Sequence, residues 1–153
     1  MARVDPTIRQ PCPCCGYPTL GGRGGYEICE LCWWEDDGQD DAQADEVRGG
    51  PNHGYSLTQA RQNFRQFLVM YEPERDRRVG GPDSETTRDA KRLLMRAFDQ
   101  LATALPDELP ARIAEVYKQE RRLELEQKET LRAYDAALRR SRESPERQRL
   151  DQE

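Results

Sequence analysis

The chain has 153 residues, of which 35% are hydrophobic and 35% are charged, and its formal net charge is −5. This length allows one domain, or a small domain with an appendage, and no stretch of the sequence is apolar over the length of a membrane span. A composition so poor in apolar residues excludes a large, fully packed globule and predicts long, exposed helices.

The first element in chain order is a pattern of cysteines. Four of the five cysteines form two Cys-x-x-Cys pairs, Cys12 with Cys15 and Cys29 with Cys32. This spacing is typical of a structural zinc site with four thiolate ligands. Cys12 and Cys15 have the standard two-residue spacer, so Cys14 is predicted to be the free thiol. Four thiolates leave no open position for a substrate, so the expected Zn²⁺ has a structural role. We expect one such ion per chain.

Disulfide bonds and a thioredoxin-like redox pair are two other uses of these cysteines. Residues 1–10 contain no apolar run that would indicate a signal peptide, and five is an odd number of cysteines. A secreted disulfide framework more often has an even number, and a redox motif needs only one pair. The sequence therefore favours zinc over both alternatives and predicts a cytoplasmic protein.

A glycine-rich segment, residues 21–25, lies between the two cysteine pairs and predicts a hairpin tip. We expect the flanking segments Tyr17–Leu20 and Tyr26–Ile28 to pair as short strands, which would give a small N-terminal zinc ribbon. Trp33 and Trp34 follow the second pair. At least one indole should cover the small core, and Trp34 is also a candidate anchor for a partner protein.

An acidic loop, residues 35–41, comes next and carries five carboxylates. The spacing fails the EF-hand pattern, which requires a glycine at the sixth position and a glutamate at the twelfth. The loop is therefore predicted to be an acidic contact surface, with a solvated loop and a magnesium site as alternatives. The candidate partner-binding residues are Trp34, Glu35, Asp36, Asp37, Asp40 and Asp41.

The next predicted element is a helix over residues 55–71. Ser56 and Gln59 have the spacing of a capping box, and apolar residues recur along one face as far as Tyr71. Residues 1–71 are therefore interpreted as one module, a zinc ribbon plus the first helix. Residues 72–83, which contain two prolines and two glycines, are predicted to be a linker.

Two more helices are predicted to form an antiparallel hairpin over residues 84–141. The first begins at Ser84, has a buried stripe that runs to Leu105, and ends at Pro106. The second runs from about residue 111 to about residue 140, and its apolar positions thin out towards the C-terminus. This incomplete seam predicts a homodimer through the C-terminal helices, with burial of Leu131, Tyr134 and Leu138. Residues 142–153 are predicted to be a disordered tail. The predicted fold class is α+β.

The negative charge of residues 1–55 indicates which class of partner this part of the chain can bind. Residues 1–55 contain ten acidic and four basic residues, and a four-thiolate zinc centre would add two negative charges. This part of the chain is not expected to bind nucleic acid directly, because affinity for nucleic acid depends on neutralising phosphates. A basic protein is the better match. The only histidine is His53, and no catalytic constellation is visible, so we do not expect an enzyme.

Four motif strings in residues 10–70 resemble the bacterial cysteine-rich CPCC family. They are Cys12-Pro13-Cys14-Cys15-Gly16-Tyr17, Gly25-Tyr26-Glu27-Ile28-Cys29, Cys32-Trp33-Trp34-Glu35-Asp36-Asp37-Gly38 and Ser56-Leu57-Thr58-Gln59-Ala60-Arg61-Gln62-Asn63-Phe64. The resemblance implies a small zinc-ribbon-like module followed by a helix. It implies little about activity, although members of the family look like accessory genes and some lie in bacterial toxin–immunity neighbourhoods.

The leading hypothesis is a non-catalytic, immunity-type protein that binds and blocks a basic cognate bacterial toxin. One alternative is a zinc ribbon that acts as an accessory protein in a transcription or translation complex. The other is a divalent-metal enzyme that uses the carboxylates between Asp36 and Asp41.

Overall fold

The computed structural model describes residues 4–143, so nearly all of the predicted disordered tail lies outside the described residues. A small antiparallel hairpin is followed by three helices, which confirms the predicted α+β fold. The strands are β1 (Gln10–Pro11) and β2 (Pro18–Leu20), and the helices are α1 (Leu57–Phe67), α2 (Glu85–Ala102) and α3 (Leu109–Arg142). No helix within residues 4–143 combines the length and the apolar character that crossing a membrane requires.

The region around the cysteines, residues 9–36, is called the ribbon below, and its strand pairing differs from the prediction. β1 pairs with β2, and an isolated bridge joins Ile28 to Glu35. The predicted pairing of Tyr17–Leu20 with Tyr26–Ile28 is therefore wrong. Each Cys-x-x-Cys turn reverses the chain by itself, so the segments on either side of a turn satisfy each other's backbone groups. The glycine-rich segment connects two hairpins and is not the tip of one.

Helix α1 has the predicted cap at Ser56, but it begins at Leu57 rather than at residue 55 and ends four residues earlier than predicted. The side chain of Ser56 accepts from Gln59 N at 3.1 Å, and the Gln59 side chain accepts from Ser56 N at 2.9 Å, which completes the capping box. The helix ends at Phe67, because Leu68 adopts a left-handed conformation with φ 60° and its N–H closes the last turn. Tyr71 lies beyond the helix but is still buried.

Helices α2 and α3 form the predicted antiparallel hairpin. Ser84 caps α2 by accepting from Thr87 N at 3.2 Å. The helix stops at Ala102, and Leu105 is 62% exposed, so the predicted extension of the buried stripe to Leu105 is wrong. Residues that precede a proline disfavour the helical conformation, and Leu105 precedes Pro106.

The helical hairpin packs on the ribbon, and the two share one hydrophobic core. The rings of Tyr17 in the ribbon and Phe98 in α2 lie 5.8 Å apart, and Arg9 forms a buried ion pair with Glu120 of α3. The largest buried apolar side chains come from both parts of the molecule, namely Leu20, Leu31, Trp34, Leu57, Met70, Leu94, Val116 and Leu123. The helices therefore complete a core that the ribbon is too small to form alone.

A buried ionic cluster reinforces this contact. Lys91 of α2 has no exposed surface, and its Nζ lies 2.6 Å from Asp83 and donates to the carbonyl oxygen of Leu68 at 2.8 Å. Arg78 donates to Asp83 at 2.8 Å and stacks 5.3 Å from the ring centroid of Trp33. Burial lowers the pKa of Lys91, and the charge of Asp83 opposes that effect. The cluster fixes α2 and the linker against the second cysteine pair.

Candidate metal centre

The first cysteine pair lies on a tight turn at the end of the β1–β2 hairpin. Gly16 N donates to Cys12 O at 2.8 Å, and Cys12 N donates to Tyr17 O at 2.9 Å. Gly16 has φ 81°, a left-handed conformation that glycine adopts without steric cost. The turn places the Cys12 and Cys15 side chains on the same side of the backbone.

The second pair repeats this geometry with a different residue at the left-handed position. Trp33 N donates to Cys29 O at 3.0 Å, and Cys29 N donates to Trp34 O at 2.9 Å. Trp33 corresponds to Gly16 and has φ 67°, which is unfavourable for a residue with a Cβ atom. Packing and the stacking of Arg78 hold Trp33 in this conformation.

The two turns face each other and bring four thiols together. The Sγ atoms of Cys12, Cys15, Cys29 and Cys32 all lie within 4.8 Å of one another. The Cys12–Cys32 and Cys15–Cys29 Sγ distances are 3.6 Å and 3.7 Å. Tetrahedral coordination with metal–sulfur bonds of about 2.3 Å places the sulfurs about 3.8 Å apart. The four thiols are therefore positioned to bind one metal ion.

The remaining cysteine lies next to this group, since the Cys14 side chain interacts with Cys32. Cys14 is buried but does not belong to the four-thiol cluster. All five cysteines are free thiols, so the disulfide framework considered from the sequence is not formed.

Two hydrogen bonds from neighbouring residues orient the sulfurs. Thr19 Oγ1 donates to Cys29 Sγ at 3.0 Å, and Trp34 N donates to Cys32 Sγ at 3.4 Å. Such contacts fix the direction of a ligand and adjust its basicity. Sequence reasoning missed Thr19, because a threonine ten residues from Cys29 carries no signal until β2 brings it to the sulfur.

Deprotonation of all four thiols together would require a cation. Burial raises the pKa of the Cys32 thiol, and the hydrogen bond with Cys12 raises that of Cys15. Neighbouring thiolates also repel one another, so four of them cannot coexist unaided in this small space. A bound metal ion would supply the positive charge that keeps all four deprotonated, and its binding would release protons.

The buried carboxylate of Asp36 fixes the backbone of the acidic loop. Asp36 has no exposed surface and accepts from Arg23 Nε at 2.9 Å, Gly24 N at 2.7 Å and Gly38 N at 3.2 Å. Burial alone would raise the pKa of Asp36, but these hydrogen bonds outweigh burial and hold the pKa below its ordinary value. Asp36 therefore joins the glycine-rich segment to the acidic loop.

The structure separates the six candidate partner-binding residues into two groups. Trp34 and Asp36 have 0% exposure, so the prediction that they contact a partner must be corrected. Trp34 fills the ribbon core, and Asp36 holds the loop. The side chains of Asp40 and Asp41 are 63% and 91% exposed. Glu35 and Asp37 are half-buried.

The exposed carboxylates do not form a cation site. Asp40 pairs with Arg23 and Asp41 pairs with Arg61, at 2.9 Å and 2.6 Å. Within residues 4–143, the four cysteines are the only group of three or more His, Cys, Asp or Glu side chains gathered closely enough to hold a metal ion. The magnesium site considered from the sequence therefore has no counterpart in the described residues.

One family comparison gives a match. The family model described as Cysteine-rich CPCC matches residues 10–86, just over half of the chain, which confirms the resemblance read from the sequence motifs. The match covers both cysteine pairs, the acidic loop and α1. No curated protein and no solved structure matches the chain.

Proposed function

We propose that this chain, which belongs to the cysteine-rich CPCC family, is a non-catalytic protein-interaction module held together by one structural zinc ion. Its role in this proposal is of the immunity type, so it binds a basic cognate bacterial toxin in the cytoplasm and blocks it. The observation that carries the proposal is the acidic loop, which presents exposed carboxylates on a backbone fixed by the buried Asp36.

Zinc is the metal that best matches the four sulfur donors. A tetrahedral set of four thiolates suits zinc, and iron is the main competitor for such a site. The Sγ distances of 3.6 Å and 3.7 Å agree with zinc–sulfur bonds of ordinary length. Elemental analysis distinguishes the two metals, and one equivalent of iron in the purified protein would contradict this assignment.

A closed site supports a structural role for the metal. All four coordination positions would be taken by Cys12, Cys15, Cys29 and Cys32, so neither water nor a substrate could reach the ion. Inhibition of a toxin requires no chemistry from the inhibitor. It requires a complementary surface large enough to cover the toxin's site.

The charge of the acidic loop favours a basic partner. Its exposed ion pairs with Arg23 and Arg61 contribute little to stability, because solvent screens them. Cations of a partner can therefore replace these arginines at small cost. Acidic surfaces of this kind also accelerate association with a basic protein, particularly at low ionic strength.

The test compares three forms of the full chain as bait in extracts of the native host. They are the wild type, a loop variant with Asp37, Asp40 and Asp41 changed to Asn, and a control variant. The control carries Asp89→Asn, Asp107→Asn and Glu129→Gln, which remove the same number of acidic charges from exposed positions on α2, on α3 and in the turn between them. We expect the wild type and the control to retain one basic protein that the loop variant binds more slowly.

A growth assay then tests for inhibition. The captured protein should arrest growth when it is expressed alone in a bacterial host, and co-expression of the wild-type chain should restore growth. Retention of ribosomal or polymerase components would instead support the alternative role in a nucleic-acid complex. Equal binding of the loop and control variants at low salt would remove the acidic loop from the interface.

A further inference from the structure

The distal part of α3, residues 124–142, has an apolar face that the rest of the described chain leaves exposed. Leu123 is the last buried residue of this helix. Beyond it, Leu131, Tyr134 and Leu138 are 44%, 40% and 37% exposed. Their spacing of three and four residues places them on one side of the helix, where they continue the stripe begun by Gln127.

The fold supports distal α3 only at its beginning. The linker reaches the helix at Thr130, where a methyl group added to Gly80 would lie 3.1 Å from Thr130 Cγ2. Helical segments of about 12–15 residues are marginal in water without tertiary packing. The last turns of α3 therefore lack the packing that normally stabilises a helix of this length.

We propose that this stripe is the interface of a homodimer in which the distal parts of two α3 helices pack antiparallel. The spacing of Gln127, Leu131, Tyr134 and Leu138 matches the a and d positions of a two-helix seam. Leu131 of one chain packs beside the partner's Tyr134, and Leu138 packs beside the partner's Gln127. The contact is two-fold symmetric, so it closes at two copies.

Charge complementarity selects this register. Lys128 and Asp135 lie on the same flank of the stripe, seven residues apart. In the antiparallel arrangement Lys128 faces the partner's Asp135, and the same pair forms again across the two-fold axis. Within residues 4–143 Asp135 has no ion-pair partner, and the pairing of Lys128 with Glu124 is exposed and weak.

Both flanks of the stripe fit close packing in this register. Glu124 and Arg142 come opposite each other between the two chains and add a second complementary pair. On the other flank Ala137 has a small side chain that allows the partner helix to approach closely, whereas Thr130 already contacts the linker near Gly80. A parallel arrangement would instead place Asp135 beside the partner's Thr130, and no ion pair between Lys128 and Asp135 would form across the contact.

A cleft beside the stripe can accept the C-terminal part of the partner helix. Gln127 and Leu131 line this cleft together with Trp33 and Val79, and its volume is about 200 Å³. The proposed register brings the partner's Leu138 to its mouth. The surface buried by two such short segments is at the lower end for specific interfaces, so we expect dissociation in the micromolar range.

Analytical ultracentrifugation of the full-length, metal-loaded protein tests the proposal over micromolar concentrations. The wild type should be a concentration-dependent dimer, and the triple variant Leu131→Ala, Tyr134→Ala, Leu138→Ala should be monomeric. Lys128→Asp and Asp135→Lys should each weaken dimerisation at least tenfold, because each places like charges across the contact. The control Glu129→Lys, on the opposite face of α3, should dimerise as the wild type does.

Mixing the two charge variants tests the register itself. Lys128→Asp and Asp135→Lys chains in equal amounts should form a heterodimer, because each complements the other across the antiparallel contact. Circular dichroism checks that both variants keep the wild-type helical content. A wild type that stays monomeric, a dimer insensitive to the triple variant, or a mixture that stays monomeric would each overturn the proposal.

Discussion

The ribbon and distal α3 show two opposite ways of holding a chain in place. The ribbon contains little regular structure, yet backbone hydrogen bonds close both of its Cys-x-x-Cys turns, and Leu20, Leu31 and Trp34 are fully buried. Distal α3 is a regular helix whose apolar side chains remain exposed. The comparison shows that a segment with regular secondary structure can lack tertiary packing, and that a segment without regular structure can be well packed. A metal site and a few buried charges can stabilise an irregular segment better than helix formation stabilises a long, thinly packed one.

The largest expected effect comes from removing a thiol of the ribbon. Cys29→Ser should abolish stoichiometric metal binding and unfold the ribbon, because metal-binding free energies at such sites are about 10–16 kcal/mol and contribute directly to folding. Cys14→Ser is the matched control and should keep both the metal and the fold. Metal content and thermal unfolding measure the difference. Loss of the metal in Cys14→Ser with retention in Cys29→Ser would show that the ligands are wrongly assigned.

The next effect concerns the ionic cluster that joins the ribbon to α2. Lys91→Met leaves the buried cluster of Asp76, Arg78 and Asp83 with one negative charge in excess and should lower the free energy of unfolding by about 3 kcal/mol. Adding Asp83→Asn should restore part of that loss, since Arg78 then remains balanced by Asp76. Chemical denaturation measures both values. A double variant that is less stable than Lys91→Met would show that the two charges do not compensate each other.

A smaller effect is expected inside the acidic loop. Asp36→Asn should lower the free energy of unfolding by about 2 kcal/mol at neutral pH, because hydrogen bonds to a charged group are replaced by neutral ones. The pKa of Asp36 is lowered in the folded state, so its contribution is present above the unfolded pKa and is lost as the pH falls through the folded pKa. The difference between the wild type and Asp36→Asn should therefore disappear in acid. A difference that persists there would assign the effect to packing.

The smallest effect is expected in distal α3. Tyr134→Ala should change the thermal stability of dilute, monomeric protein by less than about 0.5 kcal/mol, as exposed substitutions usually do. The measurement is made at a protein concentration below the dissociation constant of the proposed dimer. A loss of several kcal/mol in the free energy of unfolding there would show that distal α3 packs within its own chain.

Local sequence signals predicted part of this architecture correctly. The spacing of the cysteines indicated the four-thiol group, and the Ser56 and Ser84 caps marked where α1 and α2 begin, because turns and caps depend on neighbouring residues. The antiparallel hairpin of α2 and α3 followed from helical periodicity and the prolines between the two helices.

Other features depend on residues distant in sequence and could not be predicted. Lys91 has the sequence character of a surface residue, and it is buried only because Asp83 and the carbonyl of Leu68 meet it there. The sequence predicts that Asp36 contacts a partner protein, but its carboxylate is buried because it accepts hydrogen bonds from Arg23 and two backbone N–H groups. The strand pairing was predicted wrongly because both Cys-x-x-Cys turns reverse the chain, which the spacing of the cysteines does not show.

Hydrogen–deuterium exchange with and without a metal chelator tests the central claim most directly, which is that a metal ion holds the ribbon together. In the metal-loaded protein, the hydrogen-bonded amides of the two cysteine turns, at Cys12, Gly16, Cys29 and Trp33, should be strongly protected, while those in residues 132–142 should exchange rapidly at low protein concentration. Removal of the metal should abolish protection in residues 9–36. Protection of the ribbon that is unchanged after the metal has been removed would contradict the account.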